Sequence, residues 1–182
     1  DSELATEIVF VDARIQDYES LIGGTRDGLQ IVLLNSDRDG LTQIADALEG
    51  RSELDAIHIV SHGSAGRLLL GSTELTSDNL GAYSQQFALI GDVLGDDGDL
   101  LFYGCDVAAG EEGSAFVDAV AASTGADVAA STDLTGSTDL GGDWDFELTV
   151  GVIDSNVAFT NSTVSDYQYV LTTAISYSNM TK

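Results

Sequence analysis

Two short runs constrain this chain more than anything else in it: Ala56-Ile-His-Ile-Val-Ser-His-Gly63 and Leu100-Leu-Phe-Tyr-Gly-Cys-Asp106. Each is apolar at consecutive positions, the pattern of a strand buried on both faces and so of a sheet covered by helices on both sides. Each also ends in a reactive side chain beside a glycine, His62 in the first and Cys105 in the second. In parallel sheets the carboxyl ends of neighbouring strands form the ligand crevice, so the two residues are predicted to share one site.

The rest of the chain supplies the sheet and its covering. Glu7-Ile-Val-Phe-Val-Asp12, Gln30-Ile-Val-Leu-Leu-Asn35 and Ala126-Asp-Val-Ala-Ala-Ser131 read as further buried strands. Asp17-Tyr-Glu-Ser-Leu-Ile22 reads as a short helix. Leu41, Ile44, Ala45 and Leu48 recur at i, i+3, i+4 and i+7 behind Asp39-Gly40, with Gly50 placed to end that helix. Arg67–Leu70 and Thr73–Leu75 flank a Gly71-Ser72 turn and suggest a hairpin, followed by a helix from about Asn79 to Leu94. Gly95-Asp-Asp-Gly-Asp99 reads as a solvated turn, and Gly113, Phe116, Val117, Val120 and Ala121 share one helix face after the Cys105 strand. Proline is absent, so Gly, Asp, Asn and Ser must make the turns. Near the end, Trp144-Asp-Phe-Glu-Leu148 alternates as a half-exposed hairpin would. The alternation of strand and helix predicts an α/β fold, a mostly parallel sheet with helices on both faces. Residues 1–170 are expected to form one domain, with 171–182 an edge strand or a linker.

Charge narrows the partners. Six Lys and Arg stand against 31 Asp and Glu, a net charge of −25, which repels nucleic acid and anionic membranes. No stretch approaches the roughly 18 apolar residues of a membrane-spanning helix, so no membrane insertion is expected. The amino-terminal residues carry no signal-like stretch, and export is expected to depend on sequence outside this chain. Such acidity suits a salty or calcium-rich extracellular setting. The acidic turns lack the spaced ligands of an EF-hand, so no cofactor is required, and calcium stays an open possibility. His58 and His62 lie roughly 13 Å apart along a strand and cannot share a zinc ion, so no metal site is expected and His58 reads as a core or interface histidine. The single cysteine excludes an internal disulfide.

A thiol attacks as thiolate, and a resting pKa of roughly 8.5 leaves little of it charged at neutrality. His62 can take the proton and return it to a leaving amine. The backbone N–H groups of Gly63 and Cys105 can hold an oxyanion. Against this stands the ordinary role of a buried cysteine as a small apolar filler and of a histidine as a satisfied polar residue.

The strand ending in His62-Gly63, the intervening hairpin and helix, and the strand ending in Cys105 resemble the caspase-like, or clan CD, cysteine peptidases. More closely, Phe10-Val-Asp-Ala-Arg14, His58-Ile-Val-Ser-His-Gly-Ser64, Tyr103-Gly-Cys-Asp-Val-Ala108 and Gly142-Asp-Trp-Asp145 resemble the DUF4347 domain found in very large bacterial surface proteins with cadherin-like or RTX repeats. The resemblance implies a caspase–haemoglobinase-like three-layer α/β/α fold. It also implies His62 as base and acid, Cys105 as nucleophile, Gly63 at the oxyanion, and a secreted or cell-surface setting in which a giant adhesin, the parent chain itself, is processed. Arg14 occupies the place from which caspases supply a substrate-binding arginine, and would select an acidic residue before the cleaved bond; Asp106 or Asp133, near Ser131, would select a basic one. Asp106-Val107 replaces the Arg-Gly that follows the caspase cysteine, and Tyr103 stands where clostripain-like enzymes have an acidic residue. The rival reading is a non-catalytic anchoring or interaction module on the same scaffold. A serine α/β-hydrolase is disfavoured, because His62-Gly-Ser64 is not a Gly-x-Ser-x-Gly elbow.

Overall fold

In the computed structural model, which describes residues 5–172, the five strands predicted on both-face burial join a sixth, Leu148–Val150, in one sheet, and of the five Gln30–Leu34 is partly exposed because it lies at the sheet edge. Its members are β1 (Glu7–Asp12), β2 (Gln30–Leu34), β3 (Leu54–Val60), β7 (Leu94–Tyr103), β8 (Asp127–Ala130) and β9 (Leu148–Val150), in the order β2-β1-β3-β7-β8-β9. All pair in parallel except β9, which runs antiparallel to β8 at the edge. A second, three-stranded antiparallel sheet follows β3, built from β4 (Gly63–Ser64), β5 (Arg67–Leu70) and β6 (Thr73–Thr76).

Five helices cover the large sheet: α1 (Tyr18–Gly23), α2 (Gly40–Leu48), α3 (Ser84–Val93), α4 (Gly110–Thr124) and α5 (Asn161–Asp166). They divide unequally. Leu41, Ile44 and Leu48 of α2, Phe87 and Ile90 of α3, and Phe116, Val117 and Val120 of α4 pack with Ile8, Phe10, Ile57, Ile59, Leu100 and Phe102 of the strands. The alternate strand residues Val9, Val11, Val60, Leu101 and Tyr103 face the other layer, where Leu21, Trp144, Phe159, Tyr167 and Leu171 cover them. The period-2 alternation of strand side chains makes this split, and both faces are apolar because both are covered.

The connection from β1 to β2 runs one way along the sheet, and those from β2 to β3, β3 to β7 and β7 to β8 run the other. Right-handed crossovers then put α1 on the face opposite α2, α3 and α4, and the reversal opens a crevice at the carboxyl ends of β1 and β3.

Local chemistry explains the boundaries. Asp39 caps α2 by accepting from the backbone N–H of Leu41 and Thr42, and Gly125 ends α4 in the left-handed conformation at φ 73°. The expected helix from Asn79 divides into a 3₁₀ turn (Leu80–Tyr83) and α3. The turn expected at Gly95–Asp99 is looped out within β7, whose register against β3 jumps from Leu54–Leu94 to Ala56–Asp99. The expected hairpin at Trp144–Leu148 is not one, since only Leu148–Val150 joins the sheet. Trp144 is turned inward instead, its ring 5.3 Å from that of Phe159 and 6.2 Å from that of Tyr103, and Phe146 meets Tyr103 edge-on at 5.0 Å. Of the expected tail, 173–182 lies outside the described residues, whereas Leu171 and Thr172 are buried in the body of the fold.

His58 is fully buried, as the sequence suggests. The Tyr103 hydroxyl accepts from the Ala158 N–H at 3.0 Å and donates to His58 Nδ1 at 2.8 Å. His58 Nε2 donates to the Glu7 carboxylate at 2.9 Å, which also pairs with Arg26. The His58 bond, followed by the Arg26 bond, holds the Glu7 carboxyl below its ordinary pKa against the opposing effect of burial.

Candidate active site

Strand order decides what meets at the sheet edge. With β1, β3, β7 and β8 adjacent, the residues just past their carboxyl ends line up as Arg14, His62, Cys105 and Ser131. His62 and Cys105 follow neighbouring parallel strands, paired through Val60 and Tyr103. The glycines beside them are required by how closely the two ends approach. A Cβ on Gly63 would lie 2.6 Å from Val107 Cγ2 and 3.0 Å from the Cys105 carbonyl oxygen, and one on Gly104 would lie 3.0 Å from that of Ser61.

His62 is half-buried, and its Nε2 lies 3.1 Å from the Arg14 carbonyl oxygen. A carbonyl only accepts, so Nε2 carries a proton, and in the neutral ring Nδ1 presents its lone pair. Nδ1 is buried and has no hydrogen-bond partner. The Arg14 carbonyl thus orients the ring with Nδ1 on its buried edge. Arg14 contributes through its backbone; its exposed guanidinium donates to the Ser36 carbonyl at 3.2 Å.

Cys105 is completely buried. Its Sγ lies 3.5 Å from the Thr135 carbonyl and accepts the Thr135 N–H at 3.3 Å. Burial above all pushes the thiol up to about 12, with Asp106 and Asp133 adding to the rise, while the N–H groups of Thr135 and Leu171 act in the opposite direction. Among the described residues no hydrogen bond joins the His62 ring to the thiol, so the pair is adjacent but not coupled in this conformation.

One atom organises the site. The carbonyl oxygen of Leu171 accepts the N–H of Gly63 and the N–H of Cys105, both at 3.0 Å. Residues 169–172 lie extended between the strand tips and the segment Thr135–Ser137: Leu171 N–H donates to the Thr135 carbonyl at 2.9 Å, Ser137 N–H to the Tyr169 carbonyl at 2.9 Å, and Thr172 bridges in parallel to Gly63. The two donors singled out in the sequence therefore converge on one point, filled by the protein's own backbone.

The far side of Cys105 is acidic. Asp106 adopts φ 60°, a left-handed conformation uncommon outside glycine, and donates its N–H to the Asp133 carbonyl at 2.8 Å. Burial, then the Asp133 charge, raises its carboxyl pKa. Ser131 is buried, and its hydroxyl lies within hydrogen-bond distance of both Asp133 and Glu147. Asp133, Asp143 and Glu147 bring carboxylate oxygens within 4.8 Å of one another, and burial first, then neighbouring carboxylates, raises Asp143. Among the described residues this is the one group of three side chains that could hold a cation. Sequence reading missed Asp143, Glu147, Thr135 and Leu171, which reach the site through long connections with no strand pattern; the DUF4347-like Gly142-Asp-Trp-Asp145 motif was the signal near Asp143.

Residues 8–171 match the family described as Domain of unknown function (DUF4347). The chain belongs to the DUF4347 family. The matched region includes Leu171, whose carbonyl oxygen fills the site. No curated protein matches the chain. Among the described residues no helix is long and apolar enough to cross a membrane.

Proposed function

We propose that this DUF4347 domain is a caspase-like cysteine endopeptidase that processes its own secreted, surface-located parent chain. Supporting this reading above all is the convergence of Gly63 N–H and Cys105 N–H on one carbonyl oxygen at 3.0 Å, the separation at which donors stabilise an oxyanion. Cys105 attacks the carbonyl carbon, His62 Nδ1 takes the thiol proton, and the Arg14 carbonyl steadies the imidazolium through Nε2–H. The proton then passes to the departing amine, and water hydrolyses the thioester. These steps need no cofactor. The Asp106–Ser131–Asp133 group lies on the Cys105 side of the dyad and gives a bound peptide an acidic wall there, while the Arg14 guanidinium is turned toward the Ser36 carbonyl.

The test is hydrolysis of a peptide library by the 182-residue chain, with and without calcium, compared with Cys105→Ala and His62→Ala. Hydrolysis lost in both variants supports the reading; hydrolysis retained in either removes the dyad. The second reading, a binding module, is favoured by the buried, undissociated thiol. It predicts no hydrolysis of any peptide and no effect of either substitution on partner binding.

A further inference from the structure

We infer that the bond this dyad cleaves is the chain's own Leu171–Thr172 peptide bond, an inference that rests on the peptidase reading and gives it a substrate. A peptide added as a strand in a groove binds by main-chain hydrogen bonds, with side-chain pockets setting selectivity. Residues 169–172 meet that description within one molecule. They pair in antiparallel fashion with Thr135–Ser137, bridge to Gly63, and bury Leu171 completely.

The carbonyl held by Gly63 and Cys105 N–H belongs to Leu171, so its carbon is the electrophile the site is built to receive. The sulfur is close by: Cys105 Sγ and Leu171 N–H both engage the Thr135 carbonyl, at 3.5 Å and 2.9 Å. The missing element is contact between His62 Nδ1 and Sγ. Nδ1 is buried and unpartnered, so it has no bond to break before meeting the thiol.

In the step itself, the Cys105 sulfur bonds to the Leu171 carbonyl carbon while the thiol proton moves to His62 Nδ1. The oxyanion stays on the two N–H groups. The C–N bond to Thr172 breaks, and His62 returns the proton to the Thr172 nitrogen. Water then cleaves the Leu171 thioester, leaving a free carboxyl on Leu171 and restoring the thiol. The residue before the bond is apolar, in place of the charged residue that Arg14 or Asp106 and Asp133 would select. It lies in the apolar layer containing Trp144, Ile15 and Cys105 itself. Selection by held position explains how a site beside an acidic group takes a leucine.

The experiment follows the intact mass of the full chain over time, with and without calcium, alongside Cys105→Ala, His62→Ala and a tenfold dilution. A shared peptide library supplies a readout of activity on other substrates. Expected is loss of the last 11 residues (182 − 171), a new amino terminus at Thr172, a half-time unchanged by dilution, and no cleavage in either variant with its thermal melting preserved. A chain that hydrolyses library peptides but stays intact overturns the inference and leaves the peptidase reading standing. A chain that does neither overturns both, and cleavage persisting in Cys105→Ala assigns the cut to another protease.

Discussion

Leu171→Ala tests whether residues 169–172 cover the thiol. Leu171 is fully buried, and truncating such a leucine costs about 2–5 kcal/mol. Cys105 has no exposed surface, and burial pushes its thiol up to about 12, so at pH 8 the thiol is protonated in the closed state. Labelling must then proceed through opened molecules, at a rate proportional to the opening equilibrium when reclosing is fast. At 1.36 kcal/mol per tenfold, Leu171→Ala should accelerate labelling by a thiol reagent from about 30-fold to several thousand-fold. The assay is intact-mass labelling of folded protein at pH 8, with His62→Ala as a parallel sample and denatured protein as the unprotected standard. A change below about threefold in a variant whose melting temperature has fallen would show that Leu171 is packed but does not guard the thiol.

Three further outcomes follow from the same geometry. Gly136 has φ 131°, and a Cβ there would stand 2.3 Å from the Tyr169 carbonyl oxygen; Gly136→Ala should therefore lower stability by about 1–3 kcal/mol and accelerate Cys105 labelling, read by chemical denaturation and intact mass. The thiol's folded pKa is raised, so between the unfolded value of 9.0 and about 12 the unfolded state binds fewer protons and stability falls as pH rises. Wild type should lose up to about 1 kcal/mol more than Cys105→Ala between about pH 9 and 10, and identical alkaline limbs would refute the buried thiol. Glu7 has the opposite sign: its pKa is depressed, first by the His58 bond, so its stabilisation is present above the ordinary value of 4.5 and lost as pH falls through the folded one. Denaturation of Glu7→Gln at pH 7 and pH 3 should show a smaller loss on acidification than wild type.

Much of the fold was legible because burial on both faces is written locally. The β1 run Glu7–Asp12 and the stripe Leu41, Ile44, Leu48 match their elements, and a chain alternating such runs with helices has few ways to cover them. The readings that failed are those in which a tertiary partner replaced a local pattern. Trp144 and Phe146 alternate as strand residues do, yet their rings answer to Tyr103 and Phe159 rather than to a ladder. The sequence draws attention to the Arg14 guanidinium, but the atom that reaches His62 is its carbonyl, a group every residue carries.

The sequence by itself determined a doubly covered parallel sheet, and it marked His62 and Cys105 by ending two buried strands in reactive side chains beside glycines. Only the tertiary structure decided that those strands are neighbours, that Gly63 and Cys105 aim their N–H groups at one point, and that Leu171 fills it. Spacing along the chain encodes which residues face a core. What lies across from a backbone N–H depends on a segment more than 60 residues away, whose carbonyl is chemically identical to every other.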